Sequence, residues 1–256
     1  MKAVILAGGF GTRISEESMT KPKPMILIGD KPILWHLMKI YSYYGINEFI
    51  ICGGYKFNQI SDYFLSYQRN LNSFTIDIAK NEIEIHQNHK EKWKVTVVNT
   101  GLNTMTGGRL KRVFQYIKND NAFCFTYGDG LSDINLEKLV KFHHEHGKLA
   151  TMSAVYPPAR FGAIEIDSDD NILSFTEKPL GDGARINGGF FVLSPKVIDY
   201  IKNDTTIWER EPLENLALDE ELKAFKHDGF WQPMDTLKDK RDLEKMIKNN
   251  NAPWMK

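Results

Sequence analysis

No stretch of this chain restricts its fold more than the first thirteen residues, MKAVILAGGFGTR. Lys2–Ala7 is a short, β-branched apolar run, long enough for a buried strand and too short for a membrane span. It opens directly onto Gly8, Gly9 and Gly11, then Thr12 and Arg13. A strand ending in a glycine-rich turn can bring backbone N–H groups against phosphates, where side chains would block the approach. Arg13, Lys21 and Lys23 add cations within reach of that turn, so the opening proposes a nucleotide phosphate site. A tight turn with incidental basic neighbours is the plainer reading of the glycines alone. Two familiar phosphate loops are excluded by spacing. No G-x-x-x-x-G-K-[ST] occurs here. A G-x-G-x-x-G fingerprint begun at Gly9 would need glycine where Ile14 stands, and the next strand ends Ile50-Ile51-Cys52-Gly53 without a carboxylate.

The rhythm after the loop is that of a parallel α/β sheet. Ile33, Leu37, Ile40 and Tyr44 share one helical face, with Gly45 closing the helix. Glu48–Cys52 reads as a second buried strand and Phe57–Arg69 as a further helix, so right-handed crossovers are expected. Residues 70–92 break the pattern. Phe74, Ile76 and Ile78 alternate with polar neighbours, as do Ile83 and Ile85, which predicts an inserted β-hairpin arm. Lys94–Val98 is the next strand, and a polar turn over 99–108 leads into a helix carrying Leu110, Val113, Phe114 and Ile117. The corner Gly107-Gly108-Arg109 is a second helix amino terminus that could face an anion. Ala122–Tyr127 is another apolar strand, ending in Gly128-Asp129-Gly130. Three strand ends, at 7–13, 99–109 and 127–133, therefore carry distinctive residues, and ligands sit beyond such ends in open α/β sheets.

The remainder turns towards strands at 150–156, 162–166, 172–176 and 186–193, followed by short helices and a closing amphipathic helix over 237–247. His143, His144 and His146 read as solvated residues near a helix carboxyl end, favoured by its dipole, more than as metal ligands. With no repeat or long linker, one domain spanning 1–256 is expected.

Charge narrows the partners. The 33 basic and 33 acidic residues balance, so no long-range field advertises nucleic acid or an anionic membrane. Cys52 and Cys124 both fall inside buried strands and suggest small core residues in a reducing compartment. A cytoplasmic protein is the expectation. Two aspartates, Asp129 and Asp235, each stand at a turn after an apolar segment. They could share a Mg²⁺ ion with phosphate oxygens, or each could cap the element that follows it.

At this point the motifs carry a resemblance. AGGFGTR…KPKPM, NTGLNTMTGGRLKRV, FTYGDG, EKP, INGGFFVL and FWQPMDT resemble the sugar-nucleotide pyrophosphorylases. The longer runs KPILWHLMKIYSYYGINEFIICGGYK, FCFTYGDGLSD and HDGFWQPMDTLKDK are similar to the glucose-1-phosphate cytidylyltransferase branch, over essentially the whole chain. The resemblance implies an α/β fold, Rossmann-like, with a mixed, mostly parallel central sheet flanked by helices. It implies nucleotidyl transfer from CTP to α-D-glucose 1-phosphate, giving CDP-glucose and pyrophosphate, with Mg²⁺ as cofactor. Arg13 and Lys23 would be catalytic. Leu6, Ala7, Gly8, Gly9, Phe10, Gly11, Thr12 and Arg13, with Thr104, Gly108 and Arg109, would bind the nucleotide. Glu177, Lys178 and Asn187 would hold the sugar phosphate, and Asp129 and Asp235 the metal, with residues 195–256 completing the sugar and metal site.

Family members form homo-oligomers, here a hexamer by resemblance, and the arm at 70–92 is a candidate interface. In this branch CDP-glucose feeds dideoxyhexoses of surface lipopolysaccharide. A uridylyl- or thymidylyltransferase keeps the same chemistry with another base, and cytosine cannot be read from these residues themselves. A non-catalytic sensor would be missing carboxylates or cations that are all present here. The segment ISEESMTKPKPM is more acidic than the wider superfamily's turn and is expected to act as a lid over the nucleotide.

Overall fold

The structure is a computed structural model and describes residues 1–86, 91–158, 163–166, 168, 171–176 and 184–255. Its centre is β1 (Lys2–Ala7), flanked by β2 (Glu48–Gly53) on one side and β4 (Phe123–Tyr127) on the other, both parallel to it. Outside β2 lies β3 (Lys94–Asn99), also parallel. Two short strands, β5 (Gly130–Ser132) and β9 (Trp231–Pro233), form a separate antiparallel ribbon. The rest of the main sheet comes from β6 (Ala150–Val155), β7 (Ile186–Leu193) and β8 (Leu222–Lys226). Across the sheet the order is β8-β6-β7-β4-β1-β2-β3. Only β7 runs antiparallel to its neighbours, so the sheet is mixed and mostly parallel, as the sequence led one to expect.

Helices cover both faces, which explains why β1 is apolar at successive positions and does not alternate. Ala3, Ile5 and Ala7 pack on the side of α1 (Ile33–Tyr43), with Leu37, Tyr41 and Phe190. Val4 and Leu6 face the other layer, with Leu110, Phe125 and the fully buried Trp208. Cys52 and Cys124 are both free and buried among these apolar neighbours, and burial pushes each thiol up to about 12. That keeps them protonated and inert.

Topology follows from the order of addition. The chain builds outward from β1 to β2 and β3, then returns to lay β4 on β1's other edge. The first connections therefore diverge between β1 and β4, leaving a crevice at their carboxyl ends. Both strands stop there on glycine, at Gly8 and Gly128, and the Gly128 N–H donates to the Leu6 carbonyl at 2.9 Å.

Several elements differ from expectation. The helix read over 57–69 is two pieces, α2 (Phe57–Leu65) and Tyr67–Leu71, divided at Ser66 with φ −95° and ψ 0°. The inserted arm is present as an antiparallel hairpin, Phe74–Asp77 paired with Glu82–Ile85. No helix among the described residues is long and apolar enough to cross a membrane.

The histidines on α4 (Leu136–His146) are not all solvated. His143 is buried, and its Nδ1 lies 2.8 Å from Thr151 Oγ1, which also meets His146 Nε2 at 2.7 Å. The helix lays its apolar face on the sheet, so the last turn is carried inward and the dipole argument loses to packing. Burial, then the neighbouring His146 and His144, push His143 down to about 4. Its neutral form is therefore favoured in the folded state, while the unfolded residue protonates near 6.5. Stability is complete above that value and is lost as pH falls towards 4. The thermal midpoint should drop across this window, and His143→Gln should flatten the drop in calorimetric scans.

Candidate active site

The crevice between β1 and β4 opens into a cavity of about 630 Å³. Its floor is the glycine loop. A β-carbon added at Gly9 would meet nothing within 4 Å, so the space above this residue belongs to the cavity and a side chain there would occupy it. Gly11 turns the chain with φ +68°, a conformation that disfavours side-chain-bearing residues. Leu6, Ala7, Gly9, Gly11 and Thr12 line the cavity. Gly8 instead faces backwards, where a β-carbon would collide with the Arg109 guanidinium. Phe10 turns out towards Tyr55, with ring centroids 5.4 Å apart. Arg13 lies on the turn of 3-10 helix Thr12–Ile14, with its side chain outside the description.

Lys23 holds the acidic half of the site together. Its ammonium donates to Asp129 Oδ2 at 2.6 Å and to Asp235 Oδ1 at 2.7 Å. Residues so far apart in sequence meet because the ribbon of β5 and β9 zips their segments together. Pro233 pairs with Gly130, and the Met234 N–H donates to the Asp129 carbonyl at 2.8 Å. Asp235 is not a helix cap. That position in α6 (Leu237–Lys248) belongs to Thr236, whose hydroxyl accepts from the Asp239 N–H while the Asp239 carboxylate accepts from Thr236 N–H. The Asp235 side chain is thereby left to the cavity. Two carboxylates converging on one cation could hold a divalent ion together with phosphate oxygens and water. No larger cluster of metal-binding side chains occurs among the described residues.

Arg109 has a different place from the one expected. Its guanidinium is buried and donates to the carbonyls of Gly8, Gly53, Gly101 and Leu102 and to the Thr100 hydroxyl, at 2.7 to 3.3 Å. It thus ties together the carboxyl ends of β1, β2 and β3 from behind the glycine loop. Burial lowers its pKa, yet a guanidinium stays charged at physiological pH. The corner at Gly107–Gly108 is also not an open anion site. Both N–H groups donate to the Thr206 carbonyl, and Met105 N–H to that of Asp204. A loop from the second half of the chain has capped this helix, α3 (Thr106–Arg112). Thr104 is buried beside it. Among the described residues, Thr104, Gly108 and Arg109 stand behind the cavity wall.

Across from Lys23 the wall is made by the end of β4 and the start of β7. The Asn187 amide donates to the Tyr127 hydroxyl at 3.2 Å, and the Trp231 indole N–H holds the Gly188 carbonyl at 2.6 Å. Glu177 and Lys178 lie outside the described residues. Reading the sequence missed Tyr127, Thr106, Glu209 and Trp231, which all line the cavity. Tyr127 and Trp231 stand inside quoted motifs and were within reach. Glu209 stands in the turn before α5 (Glu211–Leu218), with no local signal.

The acidic segment after the loop is pinned. Its short helix, Ser15–Ser18, gives Glu17 to Lys240 at 2.6 Å, and Ser18 Oγ donates to the Gly11 carbonyl at 2.9 Å. Gln59 donates to the Thr20 carbonyl at 2.9 Å. Any opening must break these contacts.

Comparison with known proteins agrees with this architecture. The family described as Nucleotidyl transferase matches residues 2–235. A glucose-1-phosphate cytidylyltransferase of Salmonella typhi is 58% identical over 254 residues, covering 99% of this chain and 98% of its own length. A probable glucose-1-phosphate cytidylyltransferase of Bacillus subtilis is 47% identical, with 99% of each chain covered. Among solved structures, HddC from Yersinia pseudotuberculosis, complexed with GMP-PN, aligns with a TM-score of 0.68 at 25% identity, over 96% of this chain and 99% of that one.

Removing the Arg109 brace should leave several buried carbonyls without donors. Arg109→Met is expected to lower unfolding free energy by about 3 kcal/mol in urea titrations. Arg109→Lys should recover only part of this, because an ammonium cannot span the ends of three strands.

Proposed function

This chain belongs to the nucleotidyl transferase family, on its glucose-1-phosphate cytidylyltransferase branch, and from that premise we propose that it joins CTP to α-D-glucose 1-phosphate, giving CDP-glucose and pyrophosphate. The observation that carries the reading is the meeting of Lys23, Asp129 and Asp235 beside the glycine loop, in the crevice where a parallel sheet of this order binds ligands. A phosphate oxygen of the sugar attacks the α-phosphorus of CTP in line. One O–P bond forms as the bond to the β-phosphate oxygen breaks. The protein's task is to hold two anions together and to stabilise charge on the leaving group.

The residues divide that task. The open floor at Gly9 lets the triphosphate approach the backbone, with Gly11, Thr12 and Arg13 beside it. Asp129 and Asp235 fit a Mg²⁺ ion, since they already converge on one cation in a cavity built for phosphates. That ion, when bound, would neutralise phosphate charge. Lys23 stands at the junction of both substrates, where its ammonium can offset the repulsion between them. Lys178 would take the sugar phosphate, with Glu177 and Asn187 on the hexose. Arg109 acts at one remove, by fixing the Gly8 carbonyl and hence the loop. CDP-glucose made here would supply CDP-dideoxyhexoses of lipopolysaccharide.

A second copy of the chain is the proposed partner of the arm. Phe74 pairs across the hairpin with Ile85, and Ile76 with Ile83, so all four share one face, each between 38% and 51% exposed. Such an apolar stripe on a thin ribbon is costly in water and suits a self-contact in a hexamer.

Two measurements test these readings. Pyrophosphate release from a panel of nucleoside triphosphates with glucose 1-phosphate should be fastest with CTP; a preference for UTP or dTTP would sink the base assignment. Asp129→Asn and Asp235→Asn should each cut Mg²⁺-dependent turnover by at least about a hundredfold. For the arm, Ile76→Glu with Ile83→Glu should lower the sedimentation mass while leaving the circular dichroism spectrum unchanged.

A further inference from the structure

We propose that Glu209 is the specificity-determining residue that accepts hydrogen bonds from the ring hydroxyls of the hexose. The inference rests on the transferase reading above and adds a residue to its sugar side.

Glu209 is held firmly for an exposed carboxylate. It follows Trp208, which is fully buried, so its backbone is anchored in the core. Thr106 Oγ1 donates to its Oε2 at 2.6 Å, and the same hydroxyl accepts from the Trp208 N–H at 2.9 Å. The Tyr127 phenol accepts from the Asn187 amide at 3.2 Å and lines the same wall as Glu209. Burial, followed by Glu209, drives the phenol's pKa far up, so Tyr127 remains a donor. Asn187, Tyr127 and Glu209 thus stand together on the cavity wall.

Charge makes this arrangement informative. The cavity has to accept two phosphate-bearing substrates, and a carboxylate on its wall repels both. Among the described residues Glu209 has no cationic partner; its fixed neighbours are neutral hydroxyls. A carboxylate offers about four acceptor sites, and one is taken by Thr106. The others face the cavity, where the donors a ligand can bring are sugar hydroxyls or the cytosine amino group. Position favours the sugar. Tyr127 and Asn187 belong to β4 and β7, on the side of β1 away from β2 and β3. A fixed acceptor that leaves an epimer's hydroxyl unmet costs that substrate affinity, which is the basis of discrimination.

The test uses the full-length protein and its Glu209→Ala and Glu209→Gln variants, with the triphosphate that the wild type uses best. For Glu209→Ala the KM for glucose 1-phosphate should rise roughly ten- to hundredfold. The KM for the triphosphate should stay within about twofold, and the preference over galactose 1-phosphate and mannose 1-phosphate should narrow. Glu209→Gln, which keeps one acceptor, should fall between. An unchanged sugar KM and unchanged epimer preference would overturn the assignment, as would a rise confined to the triphosphate KM. A lowered thermal midpoint with intact epimer preference would reduce Glu209 to a brace for Thr106. A wrong base assignment appears in the wild type itself, whereas a wrong role for Glu209 appears only in its variants.

Discussion

One ammonium group shared by two carboxylates joins the parts of the chain that make the cavity. Lys23 comes from the segment after the glycine loop, Asp129 from the end of β4 and Asp235 from the turn before α6. Burying charges in this way is not a gain in stability by itself, because desolvation offsets most of the attraction. Removing one partner, however, strands the others at a cost of about 3 to 5 kcal/mol. Such a cluster is therefore better understood as a positioning device. It holds two carboxylates at one point despite their repulsion, with a cation between them.

Everything around the cluster limits how that point can move. The β5–β9 ribbon registers Pro233 against Gly130, so Asp235 cannot shift without Asp129. The Thr236–Asp239 capping box fixes the start of α6, and Lys240 one turn later holds Glu17 of the segment that leads to Lys23. From behind, Arg109 fastens the strand ends under the glycine loop. The cavity is thus bounded by braced elements on the side of the glycine loop. On the opposite wall the Asn187 amide holds the Tyr127 hydroxyl, and the Thr106 hydroxyl holds the Glu209 carboxylate.

Much of this could be read along the chain because it is local. The apolar run of Lys2–Ala7, the glycines that follow and the alternation of Phe74, Ile76, Ile83 and Ile85 each report a neighbourhood of a few residues. Where reading failed, a distant segment had intervened. The helix start at Gly107–Gly108 looks like an anion site until Thr206 places its carbonyl there. Arg109 looks like a ligand-binding cation until its fork is spent on strand-end carbonyls. His143 looks solvated until α4 is laid on the sheet and Thr151 meets it. Glu209 has no flanking motif, and only the packing of Trp208 turns it towards the cavity.

The sequence by itself determined a strand opening onto a phosphate turn, a parallel α/β succession with an inserted hairpin, and the motifs that mark the nucleotidyl transferase family. These depend on periodicity, on backbone freedom at glycine and on short spacings, all of which are properties of contiguous residues. Only the tertiary structure decided that Asp235 serves the cavity and Thr236 the helix, that Arg109 braces and does not line, and that Tyr127, Asn187 and Glu209 come to line one cavity. Those outcomes rest on which carbonyls and hydroxyls are brought within about 3 Å of a given donor. That proximity is set by strand order and layer packing between segments far apart in sequence, which no local pattern encodes.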